Sequence, residues 1–127
     1  MKEVIAIIRM DMINKTKEAL LKAGFPALTA TKVLGRGKKK VNFTLIEDLI
    51  AESDYSSPAL AESISEGHRL IPKRLLSIVV KDNEVGHLVE TIIAVNQKGS
   101  PGDGKIFVLP VTDSVRVRTG ENGEIAI

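Results

Sequence analysis

Near the start of the chain, Val4-Ile5-Ala6-Ile7-Ile8 forms an unbroken β-rich apolar run that stops at Arg9, and such a run reads as a buried strand. A helix is expected next: Asn14 is placed to cap it, Glu18 to Ala23 are good helix formers, and Gly24 suits the left-handed residue that ends a helix. Phe25-Pro26 turns the chain, and from Leu28 to Leu34 apolar and polar residues alternate with the period of a half-exposed strand. Gly35-Arg36-Gly37 closes that strand. The same pattern returns later. Leu75 to Val80 reads as a strand, Asp82 or Asn83 can cap a helix with Val85, Leu88, Val89 and Ile92 on one face, and Ile106 to Val111 reads as a strand again. Gly86 inside that helix costs roughly 1 kcal/mol relative to alanine. Val115-Arg116-Val117-Arg118 continues the last strand or begins a short extra one.

Between the two halves, from about 38 to 71, the pattern loosens into a polar segment longer than the connections usual in compact domains. It need not lack structure. Phe43, Ile46, Leu49 and Ile50 fall at helical spacing, Ser57-Pro58 resembles a helix start, and Gly67 could close a second helical turn. Two βα-plus-β halves joined by this link predict one α+β domain over 1–127, a ferredoxin-like β-α-β-β-α-β sandwich with its long loop between strands 2 and 3. Helices cover one face of such a sheet. The other face is also aliphatic here, so other subunits are expected to cover it.

Composition narrows the function classes. The chain is 43% hydrophobic but only 3% aromatic, so the core is aliphatic and a large aromatic-lined cavity is not expected. It has no cysteine, which removes thiolate nucleophiles and Cys-ligated zinc and suits a reducing, cytoplasmic setting. No basic-plus-apolar leader or membrane-length apolar run is present, so no membrane insertion is expected. A net charge of +2 is too small to argue for nucleic acid, and the scattered Phe25, Phe43, Phe107 and Tyr55 give bases no stacking platform.

The strongest chemical feature is Lys98-Gly99-Ser100-Pro101-Gly102-Asp103-Gly104-Lys105. Closely spaced glycines let backbone N–H groups converge on an anion, and Lys105 adds a full charge. Gly99 to Lys105 matches the spacing of the Walker phosphate loop, but Ile106 stands where a magnesium-holding hydroxyl is needed, and the segment leaves a helix and opens a strand instead of the reverse. The NTPase reading fails on both counts, and a plain glycine turn is the competing reading. Arg116 and Arg118, two apart on an expected strand, would project from one face about 7 Å apart, as a shared anion needs or as a solvated edge allows. Gly35-Arg36-Gly37-Lys38-Lys39-Lys40 is a third basic cluster. Together the three argue for a polyphosphate better than any one does. Catalytic machinery is missing from this picture: His68 and His87 read as surface residues without a carboxylate or hydroxyl partner, and Glu47, Asp48, Glu52 and Asp54 as solvated loop acids. No nucleophile–base arrangement is seen, so a binding role is expected in place of catalysis. A small ferredoxin-like phosphatase using the same arginines is the enzymatic alternative.

Gly102 to Val108 followed by Val115 to Glu121, with Ala6-Ile7-Ile8-Arg9, Glu18-Ala19-Leu20, Gly24, Leu28-Thr29, Gly35-Arg36-Gly37, Pro72-Lys73 and Ile78-Val79-Val80, resembles the PII nitrogen-signalling family at both ends of the chain. The resemblance implies a trimer that binds ATP or ADP between subunits, with 2-oxoglutarate as effector. It places Thr29, Gly35, Gly37 and Val79 near the adenosine, Gly99 to Gly104 around the phosphates, and Lys105, Arg116 and Arg118 paired with them. Lys38 and Asp103 join the nucleotide set, and Lys39, Lys40, Lys73 and Gly102 the 2-oxoglutarate set. Common members hold magnesium partly through a glutamine at the position of Lys39; a lysine ammonium cannot ligate magnesium, so no metal ligand is assigned. Ser77 stands where many relatives carry an acid near the adenine.

The segment Ala23 to Thr29 with Gly35 to Lys38 and the enlarged loop is similar to the archaeal PII-like proteins encoded with nitrogenase, of the longer-loop type. That resemblance implies a homotrimer or an assembly with a sister subunit, and a protein target, dinitrogenase, inhibited when nitrogen is plentiful and relieved by 2-oxoglutarate and ATP. Regulation of an ammonium transporter or of glutamine synthetase is the alternative within the family. The residues around Tyr55 do not match the family's modified loop tyrosine, so uridylylation is not carried over.

Overall fold

In the computed structural model the described residues are 1–38 and 69–127. The apolar run at the start becomes β1, Lys2–Arg9, in which Val4, Ala6 and Ile8 are buried and the residues between them only partly so. A 3-10 turn, Met10–Met12, leads straight into α1, Ile13–Lys22. Asn14 is therefore inside the helix and caps nothing: the residue at the cap position, Met12, has helical backbone angles, whereas a capping side chain needs extended ones. The other end follows the sequence. Phe25 donates its N–H to the Leu20 carbonyl (2.8 Å) and Gly24 to that of Leu21 (3.2 Å), the paired bonds of a Schellman motif.

Strand β2 is Thr29–Gly35 and β3 is Ile71–Val80. A second 3-10 turn, Asp82–Glu84, precedes α2, Val85–Asn96, so neither Asp82 nor Asn83 caps that helix. Asp82 instead pairs with the Met1 amine (2.9 Å) and Lys2 Nζ (3.2 Å). The last strand, β4, is Lys105–Pro110. The sheet order is β2-β3-β1-β4, with β1 antiparallel to both β3 and β4. This is the expected α+β arrangement, a four-stranded antiparallel sheet with two helices among the described residues.

One face of the sheet carries the core. Val4, Ala6, Ile8, Leu76, Ile78 and Val80 pack with Leu20, Leu88 and Ile92 from the helices. Among the described residues one polar pair is buried with it. Asn96 Nδ2 donates to Thr16 Oγ1 (3.1 Å) and to the Ile92 carbonyl (2.9 Å), while Thr16 donates to the Met12 carbonyl (2.7 Å). Alternation puts Ile5, Ile7, Val79, Phe107 and Leu109 on the opposite face, where Val79, Phe107 and Leu109 are exposed.

The chain divides into two compact units, Met1–Val33 with Pro72–Ile127, and Leu34–Ile71. Most of the second lies outside the described residues, as do the expected helical turns at Phe43 to Ile50 and after Ser57, together with Tyr55, Gly67 and His68.

Candidate functional site

The register of the sheet builds the site. β1 ends at Arg9 opposite Lys73 on β3, so two basic side chains leave neighbouring strands at one edge of the ladder. On the other side of β1, Lys105 opens β4 opposite Ile7, which brings the glycine segment that joins α2 to β4 past the end of β1.

That segment is folded around its own acid. Asp103 Oδ2 accepts the backbone N–H groups of Lys98 (2.8 Å), Gly99 (2.9 Å) and Ser100 (3.3 Å). The Asp103 amide donates back to the Ser100 carbonyl (3.3 Å), closing a turn with Pro101 and Gly102 at its centre. Gly102 has φ +96°, and Pro then Gly at these two positions is the signature of a type II turn. Glycines were expected to let amides converge on an anion. They do, and the anion they meet is the chain's own carboxylate.

Arg9 completes the arrangement. Its guanidinium pairs with Asp103 Oδ1 (3.1 Å) and donates to Ser100 Oγ (3.1 Å) and the Pro101 carbonyl (2.9 Å). Lys73 Nζ donates to the Gly102 carbonyl (3.2 Å). A β-carbon on Gly102 would lie 3.3 Å from Arg9 Nη2 and 3.6 Å from Lys73 Nζ, so two cations meet at a loop residue that has no side chain. The Asp103 carboxyl is held below the ordinary aspartate range, chiefly by the Lys98 amide, with burial opposing and the Ser100 and Gly99 amides and the Arg9 charge adding.

The structure brings Lys73 to Gly102, next to Asp103, Gly104 and Lys105, and Arg9, which was not assigned to the site, meets them there. In the sequence Arg9 stands out only as a charge ending an apolar strand, within the Ala6-Ile7-Ile8-Arg9 segment that carries the family resemblance. Thr29 opens β2 and Val79 lies near the end of β3, its neighbour in the sheet. Ser77 Oγ donates to Glu3 Oε2 (2.6 Å) on the sheet. Gly35 ends β2, and Gly37 and Lys38 follow it in the Leu34–Ile71 unit; Lys39 and Lys40 lie outside the described residues.

The arginine pair near the C-terminus differs from expectation. Strand geometry there is confined to one bridge, Val115 with Asn122. The chain turns back because Gly120 donates to the Arg116 carbonyl (2.7 Å) and Arg116 to that of Glu121 (2.8 Å). The side-by-side placement of Arg116 and Arg118 on a strand face is lost. Arg116 pairs with Glu121 Oε1 (3.2 Å) and donates to the Ile125 carbonyl (2.8 Å), while Arg118 is exposed in the turn. Among the described residues no hydrogen bond or ion pair joins either arginine to the glycine loop, and no three His, Cys, Asp or Glu side chains are grouped to hold a metal. His87 is exposed on α2, its ring 5.5 Å from that of Phe25.

The family model for nitrogen regulatory protein P-II matches residues 1–121. A nitrogen fixation nifHD region GlnB-like protein 2 from Methanothermococcus thermolithotrophicus is 50% identical, the alignment covering all of this chain and 98% of the relative. Nitrogen regulatory protein P-II 2 of Methanothermobacter thermautotrophicus is 39% identical over all of this chain and 97% of its own. Among solved structures, Arabidopsis thaliana PII bound to citrate superposes with a TM-score of 0.70 at 34% identity, covering 98% of this chain and 87% of that one.

Proposed function

Because the chain belongs to the nitrogen regulatory protein P-II family, we propose that it is a metabolite-gated interaction protein rather than an enzyme. ATP and ADP compete for a site built on the glycine loop, with Gly102, Asp103, Gly104 and Lys105 at the phosphates, Thr29, Gly35, Gly37, Lys38 and Val79 nearer the nucleoside, and Arg116 and Arg118 supplying charge. In a trimer those arginines need not come from the same chain as the loop. 2-Oxoglutarate enters beside Gly102, where Lys73 offers a cation to its carboxylates; Lys39 and Lys40, which lie outside the described residues, join this set by family resemblance. The observation that carries this reading is the meeting of Arg9 and Lys73 at Gly102, a corner of positive charge beside a glycine loop.

Ligand binding there would shift the conformers of the 38–71 segment and so the affinity for a target, which is a coupling free energy between two sites. The target proposed is dinitrogenase, because relatives at about half identity carry nifHD region names. No magnesium ligand is proposed, since both Asp103 oxygens are already engaged by the loop and Arg9.

Calorimetry of the purified protein tests the ligand half: ATP and ADP bind, 2-oxoglutarate binds more tightly with ATP present, and silence at millimolar nucleotide would reject the reading. Lys105→Ala and Arg118→Ala should each weaken ATP by roughly 1.5–3 kcal/mol, the usual value of a charge-assisted hydrogen bond, while the fold survives. Affinity unchanged in both would move the phosphates elsewhere. A pull-down from nitrogen-fixing cells, with and without 2-oxoglutarate, tests the target half. Capture of glutamine synthetase or an ammonium transporter in place of dinitrogenase would redirect it.

A further inference from the structure

We infer that Arg9 and Asp103 form a clamp that fixes the shape of the Lys98–Gly104 loop, making Arg9 a positioning residue for the nucleotide site. The role in nucleotide binding rests on the reading above; the clamp does not.

Each backbone amide has one proton to give, and those of Lys98, Gly99 and Ser100 give theirs to Asp103. These three amides are therefore not the phosphate cradle. The carboxylate is an internal stand-in for an anion, and phosphate recognition is left to the Gly102–Lys105 end of the loop. A loop this rich in glycine loses more chain entropy on ordering than any other, and a ligand that had to order it would bind correspondingly less well. Arg9 removes that cost beforehand. Its planar fork reaches a carboxylate oxygen, a hydroxyl and a carbonyl at once, on three different loop residues. A lysine ammonium is a point donor and cannot span them. The Arg9 and Asp103 side chains are 28% and 21% exposed, so solvent and salt screen the pair less than they would a fully exposed one.

Two measurements on the full chain decide the matter. The first is amide hydrogen exchange without ligand. Arg9→Gln and Asp103→Asn should each raise exchange at Lys98, Gly99 and Ser100 at least tenfold, with β1 and β3 amides unchanged as the control for folding. Arg9→Lys should behave like Arg9→Gln, and the double variant Arg9→Gln/Asp103→Asn no worse than either single. Unchanged protection in Arg9→Gln, full rescue by lysine, or additive losses in the double variant would each overturn the clamp. The second is titration with ATP and with adenosine. Arg9→Lys should weaken ATP about tenfold and leave adenosine unaltered; equal loss for both, or none for ATP, would remove Arg9 from the site. Should neither ligand bind the natural protein, the nucleotide reading fails while exchange still decides the clamp.

Discussion

Gly104 has no room for a methyl group. Its φ is +124°, and an added β-carbon would run into the Ile7 carbonyl oxygen, a backbone atom of the central strand that cannot move aside. Gly104→Ala should therefore cost about 2–4 kcal/mol in chemical denaturation, from backbone strain and a displaced start to β4. Asp103 gives a second residue-level expectation. Its carboxyl titrates lower in the folded protein than in the unfolded chain, so between the two values the unfolded state binds more protons. The stabilisation it provides is complete above the ordinary carboxylate range and is lost as pH falls through the lowered folded value. Asp82, also lowered by the Met1 amine and Lys2, titrates in the same acid region. The readout must then be local: amide shifts of Lys98, Gly99 and Ser100 should follow the acid transition in the natural protein and be flat in Asp103→Asn. The glycine density of this loop was legible along the chain, whereas Lys73 was named only through the family resemblance. The role of Asp103 was not, because a carboxylate that bonds amides three to five residues back looks in sequence like any solvated turn acid. Arg9 was hidden by distance, since its partners lie more than ninety positions away.

At the level of elements, periodicity found every strand and both helices among the described residues, and misjudged how the helices begin. Candidate capping residues were present at Asn14, Asp82 and Asn83, but a cap requires extended backbone, and 3-10 turns fill those places. β3 starts before its apolar pattern, since Ile71-Pro72-Lys73-Arg74 does not alternate; Pro72 is tolerated at the beginning of the strand, ahead of the residues paired with β1, which begin at Lys73. Val115 to Arg118 alternates convincingly and is a turn, since hydrogen bonds to Gly120 and Glu121 override the period. Two expectations follow for the helices. Gly86 is exposed in α2 with open space where a side chain would go, so Gly86→Ala should stabilise the protein by about 0.5–1 kcal/mol, visible as a raised midpoint in urea. Asn96→Ala should destabilise by about 1–3 kcal/mol, because Thr16 loses its donor inside the core. Combining it with Thr16→Val should recover part of that loss, and simple additivity would show the two side chains act independently.

For the molecule as a whole, the sheet face away from the helices is the feature that calls for company. Val79, Phe107 and Leu109 are exposed on it, and apolar surface of this kind on a sheet is usually covered. Sedimentation should give about three times the 13.7 kDa chain mass, and Phe107→Asp with Leu109→Asp should shift it toward the monomer; a monomer in the natural protein would refute the trimer. The sandwich itself was readable, since two matching halves leave few ways to pack four strands and two helices. The sheet order has a further consequence for how the protein comes into being. β1 is synthesised before both of its partners, residues 71–80 and 105–110, and Lys2 lies opposite both Val80 and Pro110. A nascent chain therefore carries this apolar strand unpaired until β3 has left the ribosome, and paired on one side only until β4 follows. The sheet cannot be completed before β4 is made, and contacts of such long sequence separation form slowly. An arrested chain ending before β4 should be sensitive to protease and retained by chaperones, whereas the completed chain should be released.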